Sequence, residues 1–489
     1  MREPQLPRSP DPAGSDDAML RSLGYEPELK RRMSAFSNFA ISLSIICILA
    51  GGITSFHVGL GSVGGAALGI GWPLGCLFAL AVAMTMAQVA SAFPTAGGLY
   101  HWGSILGGRL CGWTTAWFNL AGLVTVLATV NSGTYDFALA ALELHPAEGS
   151  AATLKLAVVV LMTLSQGLLN HFGIRWTTRL TDLSGWLILV LSAVLAVGLL
   201  AWAPKLEWAR LWTFTNFSGA AVGGAGFPRT ESLSWLFLLG LMLPAYTITG
   251  FDASAHTAEE TVGASVNVPR GIVRSVWISG LMGWVLVMAI TLALPSVQDG
   301  VERGAEVVPW VLRTVLPGWI AKALLVGIVG VQYLCGLAAL TSASRMVFAF
   351  ARDGGLPGSG WLKRVSAETG SPAVAVWMAA LTAAAFTILV PYTTIAVVCT
   401  TFLYLSYVIP VAAGFLAWGR SWTKPGPWQL GKAFRPLAAV SVAGCIGLLV
   451  IGIQPPNELA LRILAGAVGV LLVVWFGWER RRFRGPPQV

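Results

Sequence analysis

Runs of about twenty apolar residues recur along almost the whole chain, and that recurrence leaves few folds open. Twenty residues of α-helix span roughly 30 Å, the thickness of a bilayer's hydrocarbon core. Inside that layer every backbone N–H and C=O must find a partner in the protein, so only helices and closed barrels cross it. The strand-length alternation that marks a barrel is absent. The chain therefore reads as an all-α polytopic membrane protein with twelve transmembrane helices. Composition agrees: 55% of the 489 residues are hydrophobic and 11% charged, where a soluble domain carries about 25% charged residues.

The pattern places span 1 from about Ser37, with an interruption at Ala50-Gly51-Gly52-Ile53, and spans 2 to 5 at about 71–93, 110–140, 152–171 and 179–202. Span 6 is Leu233–Thr261, and spans 7 to 12 fall at about 271–295, 318–351, 372–390, 393–418, 434–453 and 459–478. Residues 1–36 are expected to be a cytoplasmic tail, unstructured through about residue 32, and 479–489 a second cytoplasmic tail. The transport core is expected at 37–418, as two repeats of about 37–202 and 232–418, with 419–478 holding the last two helices.

The net charge of +9 does not signal nucleic acid, because Lys and Arg cluster in alternate loops. With both termini in the cytoplasm, roughly 23 of the 31 Lys and Arg lie on the inner side, and shifting the frame by one helix inverts the bias. A multi-pass protein of the plasma (inner) membrane is expected. The six cysteines are scattered singly in apolar segments and read as small buried hydrophobes. The polar, Pro-rich first 36 residues lack the apolar core of a cleaved signal peptide.

Span 6, LSWLFLLGLMLPAYTITGFDASAHTAEET, loses its apolar character halfway. Pro244 removes a backbone donor, Gly250 follows among Tyr246, Thr247 and Thr249, and Asp252 begins the resumed helix. A carboxylate at that depth costs about 2.5–3.5 kcal/mol on insertion scales, so it marks a functional site. Paired breaks in spans 1 and 6, five helices apart, point to a 5+5 inverted repeat with a midplane site between its copies. At the first break the freed N–H groups suit a carboxylate; a glycine packing surface is the plainer alternative. At the second, freed carbonyls suit an amine, and Tyr246 and Phe251 offer aromatic faces to a cation. Asp252 fits a proton acceptor, a cation partner or an N-cap. His256 and Glu260 follow at i+4 steps, as a gate or proton exit on one face; no further ligands converge there to hold a metal. Thr341 and Ser342 on span 8, with carbonyls of span 1, are candidates for Na⁺, against the plainer reading that they bond back to their own helix. Asn119 and Tyr404 are candidate side walls.

Gly59-Leu60-Gly61-Ser62-Val63-Gly64 matches a dinucleotide fingerprint but follows no strand, so no such cofactor is expected. Asn216-Phe217-Ser218 is a glycosylation sequon on the outer side, relevant only in a host that glycosylates.

Together these residues resemble the amino acid–polyamine–organocation permease superfamily, and within it the amino acid/choline transporter family. The likeness runs from Leu23-Gly24-Tyr25 and Leu29-Lys30-Arg31-Arg32 through Phe93-Pro94-Thr95-Ala96-Gly97-Gly98-Leu99-Tyr100-His101-Trp102. It continues at Gly250-Phe251-Asp252, Glu259-Glu260, Ser342-Ala343-Ser344-Arg345 and Ala351-Arg352-Asp353-Gly354-Gly355-Leu356-Pro357. The resemblance implies the 5+5 repeat plus two helices and secondary active uptake by alternating access. It implies that the first break takes a substrate carboxylate and the second its amine. Here Ala50-Gly51-Gly52-Ile53 stands where many members have Gly-Ser-Gly-Ile, so a hydroxyl is missing while the amides remain. Members that couple to protons through a Lys on helix 5 have no counterpart here between Thr181 and Trp202, which moves that role to Asp252. The expected partners are the bilayer, an amino acid or related small amine such as 4-aminobutyrate, and H⁺ or Na⁺. The alternatives are a choline or polyamine permease of the same fold, or a nutrient sensor that binds without cycling.

Overall fold

The computed structural model describes residues 12–219, 226–390 and 392–487, and among them all regular structure is helical. Span 1 comprises Ala35–Ile46, Gly51–Thr54 and Phe56–Val63; span 2 is Trp72–Ala92, span 3 Arg109–Leu142, span 4 Glu148–His171 and span 5 Ile174–Trp202. Span 6 is Leu233–Gly240, Met242–Thr247 and Ala253–His256. Spans 7 to 12 are Ala264–Ala293, Gly318–Arg352, Ala373–Leu389, Tyr392–Ala417, Phe434–Gly452 and Glu458–Val474. Ten are long and apolar enough to cross a membrane, and spans 6 and 9 hold shorter apolar helices. This is an integral, multi-pass membrane protein.

Burial ranks the spans by role. The most apolar window of span 1 is 94% buried inside the protein, against 22% for span 11 and 11% for span 12. Broken helices survive in a membrane only when surrounded by protein, and span 1 is so surrounded. Spans 11 and 12 turn large apolar side chains such as Ile446, Val470 and Val473 outward, where lipid is the natural neighbour. Span 3 packs along spans 8 and 10, while span 7 packs against spans 1, 2 and 5.

The amino-terminal tail departs from expectation. Residues 1–11 lie outside the described residues, but Pro12–Ser22 is a helix, and the chain to Met33 packs on the end of span 6 and the start of span 7. Asp16 accepts from the amides of Gly263 and Ala264 at 2.6 and 3.1 Å, capping span 7 from another part of the chain. Arg32 and Met33 donate their amides to Glu260 O, both at 2.9 Å, and Val262 N–H returns to Met33 O. Composition predicts a loose tail because its local sequence is polar; what orders it is the set of unpaired backbone groups at the end of span 6 and start of span 7. Leu99–Gly107, between spans 2 and 3, is a further helix outside the twelve spans the pattern places.

Candidate substrate and coupling site

Two interruptions meet at the centre of the bundle. The first half of span 1 ends at Ile46, and the chain runs irregularly through Cys47, Ile48, Leu49 and Ala50. The break thus precedes the stretch singled out by sequence, and Gly51, Gly52 and Ile53 form the first turn of the resumed half. Their position leaves the amides of Gly52 and Ile53 without a hydrogen-bond partner among the described residues. Carbonyls freed on the other side of the break are held by span 8. Gln332 Nε2 donates to Leu49 O at 2.9 Å and Cys335 Sγ to Ile45 O at 3.6 Å.

In span 6 the break runs from Ile248 to Phe251. Pro244 does not start it: it sits in the first turn of Met242–Thr247, where no intrahelical N–H is needed. Gly250 makes the turn with φ +82°, open to glycine and costly for other residues. Span 1 restores the pairing lost there. Ser42 Oγ donates to Phe251 O and accepts from Ser254 N–H, both at 2.9 Å, and Asn38 Nδ2 donates to Ser254 O at 2.9 Å. The breaks touch directly. A Cβ on Gly51 would lie 2.9 Å from Thr247 Cα, and one on Gly250 would overlap Ile45 Cγ2.

Asp252 is fully buried. It makes no capping bond to the helix it begins, so the N-cap reading fails. Its Oδ2 accepts from Asn119 Nδ2 at 2.8 Å and meets His256 Nε2 at 3.1 Å, and its Oδ1 accepts from Tyr407 OH at 2.8 Å. The other ring nitrogen of His256, Nδ1, faces Ala96 O at 3.3 Å. Nε2 and the Asp252 carboxylate face each other at 3.1 Å, close enough to share a proton. Asp252 and His256 thus form a compact, fully buried pair of titratable side chains.

Glu260 does not continue that face. The resumed helix is a single turn, and the chain tightens into a 3₁₀ turn at Ala258–Glu260, so i+4 geometry stops at His256. Glu260 instead forms a bidentate pair with Arg345, both bonds 3.0 Å and both side chains fully buried. Beside it Glu259 pairs with Arg352 at 3.0 and 2.9 Å and accepts from Ala96 N–H at 3.0 Å. Tyr25, from the tail, lies under Arg352, with the guanidinium 4.0 Å from its ring centroid, and donates to Asp353 at 2.9 Å. Tyr100 donates to the same oxygen at 2.9 Å and His101 meets it at 3.1 Å. Burial pushes the Asp353 carboxyl up, but the bond and charge of His101 and the charge of Arg352 outweigh it, leaving Asp353 below its ordinary value. Burial pushes the Tyr25 and Tyr100 hydroxyls up, so both stay protonated donors.

These pairs tie the ends of spans 6 and 8 to the docked tail. Recesses lie near the resumed half of span 1 and the first half of span 6. One, of about 1240 Å³, is lined by Thr54, Gly133, Asp136, Glu306 and Arg313 and reaches the resumed turn of span 1. The other, of about 730 Å³, is lined by Ser55, His57, Met242, Tyr246 and Thr400.

Other sequence candidates fall into place unevenly. Ala50 and Ile53 are buried at the first break, and the Phe251 ring packs against Tyr407, tilted by 40° with centroids 4.9 Å apart. Thr247 and Thr249 turn their hydroxyls back on their own helix, to Leu243 O and Tyr246 O. Tyr404 is buried against Phe78 and Tyr407 and does not touch Asp252. The tyrosine that does is Tyr407, one turn further, whose hydroxyl also accepts from Gly250 N–H at 2.9 Å. Sequence showed both tyrosines on one apolar span, and only packing chose between them. Thr341 Oγ1 lies 2.8 Å from Asn170 Oδ1 on span 4 and 2.9 Å from Leu337 O on its own helix, in keeping with the plainer reading. Gln332 and Cys335 occupy two of the freed span 1 carbonyls instead, while Ser342 Oγ has no partner among the described residues. Gln332, the one amide side chain in Gly318–Arg352, is a residue at the first break that sequence reading passed over.

Comparison with known proteins agrees with this architecture. The chain matches the amino acid permease family over residues 33–476. It is 33% identical to the amino-acid permease BAT1 of Arabidopsis thaliana, covering 96% of each chain, and 32% identical to the BAT1 homolog of Oryza sativa, over 96% of this chain and 95% of that protein. The GABA-specific permease of Saccharomyces cerevisiae is 26% identical over 96% of this chain and 86% of its own. Those relatives are transporters rather than enzymes. A broken-helix pair at the heart of a polytopic bundle, matched from end to end by such relatives, makes this chain a member of the amino acid permease family.

Proposed function

We propose that this permease imports an amino acid or a related small amine, such as 4-aminobutyrate, by alternating access between two five-span inverted repeats, driven by a proton gradient. The observation that carries the reading is the buried contact of Asp252 Oδ2 with His256 Nε2, 3.1 Å apart at the second break. A proton there neutralises the pair, and its release to the cytoplasm across the plasma membrane would link transport to the gradient. The substrate's carboxylate takes the free amides of Gly52 and Ile53, and its amine lies toward the carbonyls of the two breaks. The name of the yeast relative supports 4-aminobutyrate among the substrates to try.

The test is uptake into proteoliposomes of radiolabelled 4-aminobutyrate, L-alanine, L-arginine, choline and putrescine, with and without Na⁺ and a pH gradient. Uptake of an amino acid that follows the pH gradient and ignores Na⁺ is expected. Asp252→Asn should abolish gradient-driven accumulation while sparing exchange. Normal accumulation in that variant would remove Asp252 from the coupling.

A further inference from the structure

Gln332 stands beside the first break with half of its amide engaged. Its Nε2 donates to Leu49 O at 2.9 Å, while its Oε1, fully buried, has no partner among the described residues. The orientation of the amide is fixed chemically. Turning it over would set two acceptor oxygens against each other, so the oxygen is the end left free. Among the buried side-chain atoms without a partner, it is the one whose own amide holds a carbonyl of the first break. Around the same break the amides of Gly52 and Ile53 are donors without acceptors. The unspent groups are thus of both kinds, two donors and one acceptor, on either side of Ala50.

We propose that Gln332 Oε1 accepts an N–H from the substrate's ammonium, making it the residue by which this carrier demands a protonated amine. The assignment rests on the amino-acid reading above and narrows it. A zwitterion supplies a carboxylate for the two amides and N–H donors for Gln332. Choline has no N–H, and would leave Oε1 buried and unpaired. Its exclusion follows from the cost of that orphaned oxygen rather than from size. Since Nε2 clamps Leu49 O, span 8 also senses whether the break is in place when the amine arrives. Gln332 acts by hydrogen bonding alone, with no bond made or broken.

The experiment uses the full-length protein in proteoliposomes and two labelled probes, 4-aminobutyrate and L-alanine, each competed by its unlabelled parent and by its N-trimethyl form. Wild type should favour the parent over the trimethyl form by about tenfold or more, the loss expected for one hydrogen bond to a charged group. Gln332→Leu should weaken the parent by a similar factor and leave the trimethyl form nearly unchanged, bringing the ratio toward one. An unchanged ratio in Gln332→Leu, or equal weakening of both forms, would overturn the assignment. Should Gln332→Leu not yield folded protein, wild type decides alone: trimethyl forms competing as well as the parents would overturn it. Folded wild type that carries neither probe but carries choline would overturn the amino-acid reading and this assignment together. Carriage of a probe with an unmoved ratio would overturn this assignment only.

Discussion

The hydroxyl of Tyr407 donates to Asp252 Oδ1 at 2.8 Å while accepting the amide of Gly250 at 2.9 Å. One side chain of span 10 therefore ties the unwound backbone of span 6 to the buried carboxylate just beyond it. A change in the charge of Asp252 is felt at once by the peptide group that makes the break possible.

Replacing Tyr407 by Phe keeps the ring packed on Phe251 but removes both bonds. The Gly250 amide is left buried and unpaired, at a cost of about 1–3 kcal/mol. Purified Tyr407→Phe should melt several degrees below wild type, and its uptake should lose steepness with the pH gradient. A variant with unchanged melting and unchanged gradient dependence would show that this hydroxyl couples nothing.

The glycines at the breaks should not be equivalent. A Cβ at Gly51 meets backbone, Thr247 Cα at 2.9 Å, whereas one at Gly52 meets the edge of the Trp72 ring at 3.3 Å, which can give slightly. Gly250 combines overlap with Ile45 and a positive φ. Alanine scanning should rank the losses Gly250 and Gly51 well above Gly52, with losses of about 2 kcal/mol or more at the first two. Leucine at Gly51 should abolish uptake of every substrate. Melting temperature and binding affinity, measured on the same preparations, check the order.

Glu260 and Arg345 are a fully buried bidentate pair joining the end of span 6 to span 8. Removing one partner strands the other charge and should cost about 3–5 kcal/mol. Arg345→Met and Glu260→Gln are each expected to destabilise strongly, and the double variant less than either sum. A thermal double-mutant cycle measures this; strict additivity would mean that the pair is not coupled.

The docked tail should respond to pH through Asp16. Burial raises its carboxyl above the ordinary 3.8, against the pull of the Gly263 amide and Arg31. The docked tail thus binds a proton more tightly than the free tail, so docking strengthens as pH falls through the raised value and gains nothing more below 3.8. Asp353 is lowered, so its contribution is intact above 3.8 and lost only as pH falls through its depressed value. Protection of the amides in 12–33, taken relative to the intrinsic exchange rate at each pH, should therefore rise from neutral to mildly acid pH. Asp16→Asn should flatten that response, and Tyr25→Phe should speed exchange at every pH; the opposite trend in wild type would refute the docking account.

Much of the architecture was legible in the residues themselves. Twelve apolar stretches, two of them interrupted near Gly51 and Gly250, demanded a helical bundle with irregular backbone at its centre, because a bilayer offers unpaired peptide groups no other shelter. Asp252 and His256 were legible too, as i and i+4 on one turn. The partners were not. That Tyr407 rather than Tyr404 reaches Asp252, that Glu260 turns away to Arg345, that Gln332 rather than Thr341 attends the first break, and that residues 12–33 dock, all depend on contacts between segments far apart in the chain. Local pattern sets which groups are left unpaired; only packing of distant helices decides what pairs them.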